Sequence, residues 1–466
     1  MCGAALEYTL FKEDALMNDY PTLVKEKLYS LIDDIADISW LYCNNPGHNF
    51  TRNRKLDFAT TMKLIIAMEG GTVSEEMMEF FNYNLTSPTP SAFNQQRSHI
   101  KHEAFQQLFS DFAAAYPGTK YLNGYQILAC DGSHVVYATD SKNIDDYVKP
   151  RKEGDKGYNQ LHLNALYDII NRTYIDAVIQ PGVKMNEHAA LHFMLEHFEP
   201  SDPSHIILTV DRGYNSYNLI VQIQRKNMRF VMRAKDYTSC KSMLSSFTDE
   251  YPDSPEFDVE IKRFITRSKN KIQDTQPDVY LEHKADKTFD YASAHATGKD
   301  RLCYISFRVV RIRLSDGSYE CIITNLPAHE FPPERIKEIY HMRWGIETSF
   351  RQLKYAVGMQ SFHAKKVEYV KQEIFAKLIM YNFSEIIASQ ASISKNKKRK
   401  YKHNYKLNYS MAAKICHKFL KSQANTPPPD VIGWIERNLS VCKQGFRNFP
   451  RNLRGIGAVS FFYRVS

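Results

Sequence analysis

The first part of the chain carries apolar residues at helical spacing. Between residues 56 and 68 they recur every three or four positions, and Thr72 stands ahead of a glutamate pair, which is typical of a helix start. A segment rich in proline and serine at residues 87–91 interrupts this pattern, which resumes over residues 92–112. The pattern therefore predicts a helical region over residues 1–120.

The spacing of apolar residues changes to that of strands near residue 121. In chain order the pattern predicts strands at residues 125–137, 161–169 and 174–179, a helix at 187–198, a strand at 206–210, a helix at 217–226 and a strand at 229–233. The run at 206–210 is almost entirely apolar, which is typical of a buried central strand. Residues 121–235 are therefore predicted to form a mixed α/β sheet.

A polar segment rich in β-strand residues follows over residues 236–328. Strands are predicted near residues 257–263, 303–314 and 320–324. The pair Asp316–Gly317 between the last two strands is a hairpin signal, because Gly adopts the turn conformation without steric cost. The pattern predicts a β-rich segment here.

Two helices are predicted after this segment, within residues 329–390. Pro332 and Pro333 are typical of a helix start, and the helical pattern then continues to about Val357. Another helical pattern covers residues 367–388.

Charge is unevenly distributed along the chain. Residues 391–466 contain 16 Lys and Arg against two acidic residues, which gives this segment a charge of +14. The whole chain has a net charge of +9, so residues 1–390 sum to −5, the difference between the two values. A basic C-terminal region on a mildly acidic body indicates a polyanionic partner. The alternative is that the basic run at residues 395–406 is only solvated.

Cysteine placement and hydropathy limit the class of protein. The eight cysteines are scattered and form no C-x-x-C pair, so neither a zinc ribbon nor a redox motif is indicated. The first residues mix charged side chains with short apolar stretches, which is not typical of a signal peptide. No run of about 18 apolar residues occurs, so no membrane span is predicted. These features indicate a cytoplasmic protein with reduced thiols.

Two aspartates stand at or near the ends of predicted strands. Asp131 follows the run Ile127–Cys130, and Asp211 follows the strand at 206–210. A carboxylate in such a place is costly unless it is paired or binds a metal ion. If the two strands are neighbours, both carboxylates meet at one edge of the sheet, where α/β proteins form their sites. The alternative for each aspartate is a cap on the turn that follows its strand.

The helix predicted from Pro333 carries a polar stripe beside an apolar one. At about 100° per residue, one narrow arc of its surface holds Tyr340, Arg343, Glu347 and Lys354. The adjacent packing stripe holds Ile339, Ile346, Phe350, Leu353 and Val357. A phenol, two cations and a carboxylate in register beside a packing stripe indicate a binding site. The alternative is a solvated face with ordinary ion pairs.

The four polar residues of this stripe also match a known signature. Their pattern, Y-x2-R-x3-E-x6-K, resembles the YREK signature of the "insertion sequence 4" family of prokaryotic DDE transposases. Asp131–Gly132–Ser133 is similar to the family's first aspartate motif, and Asp211–Arg212–Gly213–Tyr214 is similar to its second. The resemblance covers roughly residues 50–390.

The resemblance implies an RNase H-like catalytic fold preceded by a helical DNA-binding region. Residues 121–235 would be the first part of the catalytic domain, 236–328 a β-rich insertion and 329–390 the second part. The implied activity is cut-and-paste transposition of an insertion sequence, with strand cleavage, a DNA hairpin at the excised end and strand transfer. The implied partners are double-stranded DNA, at the transposon ends and the target, and a second copy of the chain in a homodimeric synaptic complex. Such a protein would act in the cytoplasm, associated with the nucleoid.

The same resemblance implies roles for individual residues. The catalytic acids and metal ligands would be Asp131, Asp211 and Glu347. The DNA contacts would be Tyr340, Arg343, Lys354 and Trp344. Three carboxylates offer hard oxygen ligands, which suit two Mg²⁺ ions about 3.5–4 Å apart, with Mn²⁺ as a substitute.

The tryptophans depart from the family's pattern. Relatives stack an aromatic residue of the insertion on a base flipped out near the hairpin. The three tryptophans of this chain, Trp40, Trp344 and Trp434, all lie outside residues 236–328. Either a Tyr, Phe or His takes that place, or the hairpin step differs. Trp344 lies within the signature itself and is either a DNA contact or a core residue.

Basic residues also punctuate the N-terminal helical region. They are Arg52, Arg54, Lys55, Arg97 and Lys101. We expect residues 1–120 to help recognise the transposon end through them. The alternative is a helical cap with only a structural role. The basic C-terminal region, including residues 397–400, is expected to add salt-dependent affinity with little sequence preference.

Other classes of protein fit less well. A tyrosine recombinase is disfavoured because no histidine begins an H-x-x-R box. A zinc hydrolase would use His188, His192 and His197, but histidines at such helical spacing are usually surface or core residues. The remaining alternatives are a plain RNase H-like nuclease and a domesticated DNA-binding protein derived from a transposase.

Overall fold

The computed structural model describes residues 3–150, 152, 154–266, 280–282, 302–391, 404–422, 429–442 and 462–463. Its helices are α1 (Gly3–Asp37), α2 (Phe58–Ala67), α3 (Val73–Phe80), α4 (Pro90–Arg97), α5 (Glu103–Ala115), α6 (Glu187–His197), α7 (Tyr217–Arg225), α8 (Pro333–Met342), α9 (Trp344–Tyr355), α10 (Val367–Ala388), α11 (Tyr409–Lys421) and α12 (Val431–Arg437). Its strands are β1 (Gln126–Tyr137), β2 (Tyr147–Val148), β3 (Tyr158–Asp168), β4 (Thr173–Pro181), β5 (Ile206–Val210), β6 (Arg229–Ala234), β7 (Phe257–Thr266), β8 (Tyr280–Glu282), β9 (Leu302–Arg313), β10 (Tyr319–Thr324), β11 (Ser361–Phe362), β12 (Asn404–Lys406), β13 (Ser440–Cys442) and β14 (Phe462–Tyr463). Within these ranges, no helix has the length and apolar character needed to cross a membrane.

Capping side chains fix the starts of the early helices. Asp57 accepts a hydrogen bond from the Thr60 N–H at 2.7 Å, so α2 begins directly after it. Thr72 and Glu75 form a reciprocal capping box at the start of α3. Such caps satisfy backbone N–H groups that have no partner inside the helix.

One mixed sheet forms the centre of the molecule. Ten strands of the described residues belong to it, in the order β2-β3-β1-β5-β6-β10-β9-β7-β8, with β4 paired to β3. Strand β1 is antiparallel to β3 and parallel to β5, and β5 is parallel to β6. The prediction of a mixed α/β sheet is confirmed.

Different helices cover the two faces of this sheet. On one face, Leu128 and Leu208 belong to a hydrophobic cluster with residues of α6 and α7. On the other face, Ala129 belongs to a second cluster with Ile346 and Leu353 of α9. Alternation of side chains along a strand produces this arrangement, since neighbouring residues point to opposite faces. Helix α9 is thereby held against β1.

The strands of residues 236–328 continue this sheet. Strand β10 pairs with β6 through Cys321 and Ala234, and β9 and β7 follow beyond it. The β-rich segment therefore extends the sheet that carries Asp131 and Asp211.

Helix α10 lies at the centre of the helical part. It packs against α2, α5 and α11, and nearly all of its residues from Gln372 onward are buried. Arg97 of α4 forms a 2.8 Å ion pair with Glu373 of α10, and both side chains are 1% exposed. Arg97 also donates a hydrogen bond to Gln372. The prediction that Arg97 contacts DNA is therefore wrong, because this guanidinium is buried and paired.

The basic C-terminal region is partly built into the fold. Lys421 at the end of α11 forms ion pairs with Glu69, Glu76 and Glu79, at 3.1, 3.1 and 2.8 Å. This cation joins α11 to the N-terminal helices, so it is not available to a polyanion. The predicted basic run covers residues 395–406. Its residues 395–403, which include residues 397–400, lie outside the described residues.

The long helix predicted from Pro333 is broken at Arg343. The Arg343 N–H bonds to the Tyr340 carbonyl and the Ile346 N–H bonds to the Arg343 carbonyl, both three residues back in the chain. Such bonds tighten the helix and change its rotation per residue, so a single helical arc does not hold across the junction. Gly345 favours the break because Gly is a poor helix former. A β-carbon on Gly345 would also lie 3.2 Å from the Ile169 side chain.

Candidate active site

Asp131 and Asp211 lie at equivalent levels of two neighbouring strands. In the parallel pair of β1 and β5, Ala129 stands opposite Thr209. Each aspartate lies two residues beyond these partners, so both carboxylates reach the same edge of the sheet. Asp211 also caps the following 3₁₀ turn, accepting a hydrogen bond from the Gly213 N–H at 2.6 Å. This cap uses one oxygen of the Asp211 carboxylate, which still lies on the part of the sheet that it shares with Asp131.

The Asp131 carboxyl group is mostly buried and surrounded by charge. Its Oδ1 accepts a hydrogen bond from the Gly132 N–H at 2.8 Å. Burial raises the pKa of Asp131 to about 6, against the lowering effects of that hydrogen bond and of Arg343, and Glu347 and Asp211 raise it further. Asp131 therefore lies within electrostatic reach of both other predicted acids, an arrangement that a bound cation would stabilise.

Arg343 lies between two of these acids. One of its terminal nitrogens is 2.6 Å from Glu347 Oε1, and the other is 3.6 Å from Asp131 Oδ2. The guanidinium is nearly buried and its Nε has no hydrogen-bond partner. The junction between α8 and α9 thus places a cation where two carboxylates would otherwise repel each other.

The three carboxylates suit a hard divalent cation in their chemistry. Carboxylate oxygens are the ligands that Mg²⁺ and Mn²⁺ prefer. Among the described residues, the group whose ligand atoms all lie within 4.8 Å of one another is instead His102, Glu103 and Glu368. The ligand oxygens of Asp131, Asp211 and Glu347 do not all lie within that distance of one another, and Arg343 contacts two of these acids.

Lys354 lies two turns after Glu347 on α9. Burial lowers the pKa of its ammonium group, and no hydrogen bond or ion pair to it occurs among the described residues. An ammonium group that is half-buried without a carboxylate partner is available to an anionic ligand. It also lies close enough to His134 to lower the pKa of that imidazole.

Tyr340 and Trp344 flank Arg343 with opposite exposure. Tyr340 is 3% exposed and belongs to a core cluster, so its ring positions Arg343, whose guanidinium lies 5.9 Å from the ring centroid. Trp344 is 59% exposed, and its ring centroid lies 5.8 Å from the same guanidinium. The alternative that Trp344 is a core residue is therefore wrong.

Two N-terminal arginines lie beside a surface cavity. Arg52 and Arg54 are exposed and help line a cavity of about 310 Å³, together with His48 and His99. Lys55 is exposed nearby and donates hydrogen bonds to Thr86. The cavity is polar and basic, as an anionic partner requires.

The three histidines considered for zinc do not converge. The His188 ring packs at 5.9 Å from that of Tyr214, His192 contacts Gln222, and His197 contacts the Phe193 carbonyl. Sequence reasoning instead missed a histidine pair on adjacent strands, His134 and His162. The pairing register of β1 with β3 would have been needed to find it.

Known proteins share sequence or shape with this chain. Residues 122–383 match the family described as "Transposase DDE domain". The transposase for insertion sequence element IS421 of Escherichia coli is 34% identical over 73 residues, which make up 16% of this chain and 20% of the relative. The match thus spans about a fifth of the length of that curated relative. The cryo-EM structure of a piggyBac transposase synaptic complex with hairpin DNA aligns over 89% of this chain and 84% of its own, with a TM-score of 0.46 and 10% identity.

The family match covers more than half of the chain and includes Asp131, Asp211 and the residues from Tyr340 to Lys354. It begins just before β1, which carries Asp131, and ends within α10, beyond Glu347 and Lys354. The chain therefore belongs to the transposase DDE domain family.

Proposed function

We propose that this protein is a DNA transposase that cleaves and joins phosphodiester bonds in cut-and-paste transposition. The observation that carries the proposal is the placement of Asp131 and Asp211 at one sheet edge, with Glu347 on the helix packed against it. A cluster of carboxylates in which one, Asp131, has a raised pKa is typical of a metal-dependent active site.

Membership of the family implies dependence on a divalent metal, and we propose two Mg²⁺ ions, replaceable by Mn²⁺. Asp131, Asp211 and Glu347 would hold them through carboxylate oxygens. When bound, the ions would activate the attacking oxygen and stabilise the leaving oxygen. Arg343 would then exchange its 3.6 Å contact with Asp131 for a phosphate oxygen, keeping its bond to Glu347.

We assign the catalytic part to the RNase H-like fold and the protein to the "insertion sequence 4" group. The order β4-β3-β1-β5-β6, with three antiparallel strands followed by two parallel ones, supports the fold. The signature residues support the group, with Arg343 and Glu347 in contact and Lys354 on the same helix. A hairpin intermediate belongs to the same proposal.

The proposed partner is double-stranded DNA, held in a homodimeric complex. Lys354 and Arg343 would contact phosphates at the cleaved end, and exposed Trp344 would contact the DNA beside them. Tyr340 would act through Arg343. The cavity lined by Arg52 and Arg54 would meet DNA away from the cleavage point.

Cleavage of the element's own end sequence tests this function. DNA flanking the reading frame is searched for inverted repeats, and the purified protein is incubated with a labelled duplex of that sequence and Mg²⁺ or Mn²⁺. Metal-dependent cleavage at the repeat boundary is expected. Glu347→Gln should reduce cleavage by orders of magnitude while end binding persists, since the change removes a metal ligand and keeps the shape.

The matched control is Glu338→Gln on α8, where the carboxylate is exposed and paired with Arg335. This variant should cleave as the unchanged protein does. Full cleavage by the Glu347 variant would overturn the active-site assignment. Sequence-specific binding without cleavage under either metal would instead favour a domesticated DNA-binding protein.

A further inference from the structure

A pair of histidines faces across two adjacent strands next to Asp131. His134 of β1 and His162 of β3 are direct partners in the antiparallel register. Their Nδ1 atoms are 3.3 Å apart and their ring centroids 4.8 Å apart. Neither ring belongs to the carboxylate site, because His134 and Asp131 are three residues apart and extend from opposite faces of the strand.

Glu187 fixes the orientation of the inner ring. His162 is 2% exposed, and its Nε2 lies 2.9 Å from Oε1 of Glu187, the first residue of α6. The hydrogen bond from His162 lowers the pKa of Glu187, so the carboxylate accepts the Nε2 proton. The neutral His162 ring therefore carries its lone pair on Nδ1, which faces His134.

Gly132 makes room for this arrangement. A β-carbon at that position would lie 2.3 Å from His162 Nε2 and 2.7 Å from Glu187 Oε1. Any larger residue would displace the imidazole or the carboxylate. The packing of His162 and Glu187 therefore explains why glycine stands at position 132, independently of the metal-binding acids.

We propose that His134 and His162 bind a zinc-class transition metal ion through their facing Nδ1 atoms, with Glu187 as the outer carboxylate. Two nitrogens at about 2.0–2.1 Å from a tetrahedral ion lie about 3.3–3.4 Å apart, which matches the observed 3.3 Å. A ligating histidine characteristically donates its other N–H to a carboxylate, as His162 does to Glu187.

The surroundings leave the other coordination positions to water. His134 is exposed, so an ion held by the pair meets solvent on its outer side. Burial, together with His162 and Lys354, holds the pKa of His134 below its ordinary value, so the ring is a neutral ligand. Without an ion, the two Nδ1 atoms lie within hydrogen-bond distance of each other, at 3.3 Å.

Zinc binding by the full chain tests the proposal without DNA. Zn²⁺ is titrated calorimetrically into protein saturated with Mg²⁺, which occupies the hard carboxylate ligands. Co²⁺ is titrated into a separate zinc-free sample as an optical probe, because tetrahedral Co²⁺ absorbs strongly in the visible. One site with tetrahedral Co²⁺ bands is expected. His134→Ala should lower zinc affinity at least about tenfold, and Glu187→Gln about tenfold to a hundredfold.

The matched control is His102→Ala, which removes the histidine of the other metal-type cluster. Zinc affinity should be unchanged in this variant. Because His134 is exposed, its alanine variant is expected to fold, which circular dichroism checks. Equal zinc affinity in the His134 variant and the unchanged protein would overturn the proposal, as would loss of the site in the His102 variant. This experiment is independent of DNA cleavage, so the proposed function and the zinc site fail separately.

Discussion

Arg343 and Glu347 lie one helical turn apart and are joined by a 2.6 Å hydrogen bond, at the point where two helices meet. The same guanidinium approaches Asp131, so one cation serves two acids of the site. Removing the charge of Arg343, Glu347 or Asp131 therefore changes the electrostatic environment of the other two side chains.

Asp131→Asn is expected to stabilise the protein at pH 8. The folded-state pKa of about 6 is above the ordinary value of 3.8, so the folded chain binds the proton more tightly than the unfolded chain. The stability gained from this group is complete below about pH 4 and is lost as the pH rises through about 6. After allowance for the partial exposure of this carboxyl group, the variant is expected to gain ~1–2 kcal/mol of unfolding free energy at pH 8, and this gain shrinks towards pH 4.

Urea unfolding of the Asp131 variant and the unchanged protein at pH 5 and pH 8 measures this gain. The matched control is Asp316→Asn in the exposed turn before β10, where hydrogen bonds from Ser318 lower the pKa of the carboxyl group. No gain is expected there. A larger gain for the Asp131 variant at pH 5 than at pH 8 would contradict the sign of the effect.

Lys354→Ala is expected to weaken binding of the cleaved DNA end by ~10-fold, since charged hydrogen bonds to phosphate contribute ~1.5–3 kcal/mol. Gel-shift affinity is measured in the Glu347→Gln background, where cleavage does not interfere. The control is Arg351→Ala, an exposed cation on the same helix. A greater loss of affinity for the Arg351 variant would remove Lys354 from the DNA contact.

Arg97→Ala is expected to cost ~3–5 kcal/mol of unfolding free energy, because it removes the guanidinium that compensates the buried Glu373 carboxylate and leaves that carboxylate to its contacts with His363. The control is Lys63→Ala, which breaks the exposed 2.8 Å pair with Asp33 and should cost at most ~1 kcal/mol. Both are measured by urea unfolding. Equal costs for the two variants would show that the Arg97 pair is not a buried structural contact.

Arg52→Ala with Arg54→Ala is expected to weaken end binding and to reduce the slope of log affinity against log salt by about two units, near one for each phosphate contact. Lys27→Ala, an exposed cation on α1, is the control and should leave the slope unchanged. Deleting residues 1–120 does not test this role, because α2 and α5 pack against α10 and their loss exposes its apolar surface. An unchanged slope in the double variant would exclude the cavity from DNA binding.

The site could be predicted where local pattern determines it. Asp211 directly follows β5 and Asp131 lies inside β1 directly after an apolar run, and a register shared by these two parallel strands brings them together. The prediction of one continuous helix through Arg343 was wrong, because a helical wheel assumes a constant rotation per residue and cannot show a tightened turn. The roles of Tyr340, Arg343, Glu347 and Lys354 stay predictions, whereas the single-helix geometry was wrong.

Pairing between residues far apart in the chain could not be predicted from the sequence. The partner of Arg97 lies 276 residues away, so nothing near Arg97 distinguishes a buried guanidinium from one that contacts DNA. The same holds for Lys421 and Glu76, 345 residues apart. The pair of His134 and His162 depends on strand register, which a single sequence specifies weakly.

Helix α10 determines when this protein can finish folding during synthesis. The early helices α2 and α5 bury their apolar faces against it, and Lys25 of α1 donates hydrogen bonds to the Phe419 and Ser422 carbonyls at 3.0 and 2.7 Å. A nascent chain must therefore release residues 367–422 from the ribosome before its first helices have a complete core. Interruption of the gene before that point would yield fragments whose N-terminal helices lack the packing surface of α10.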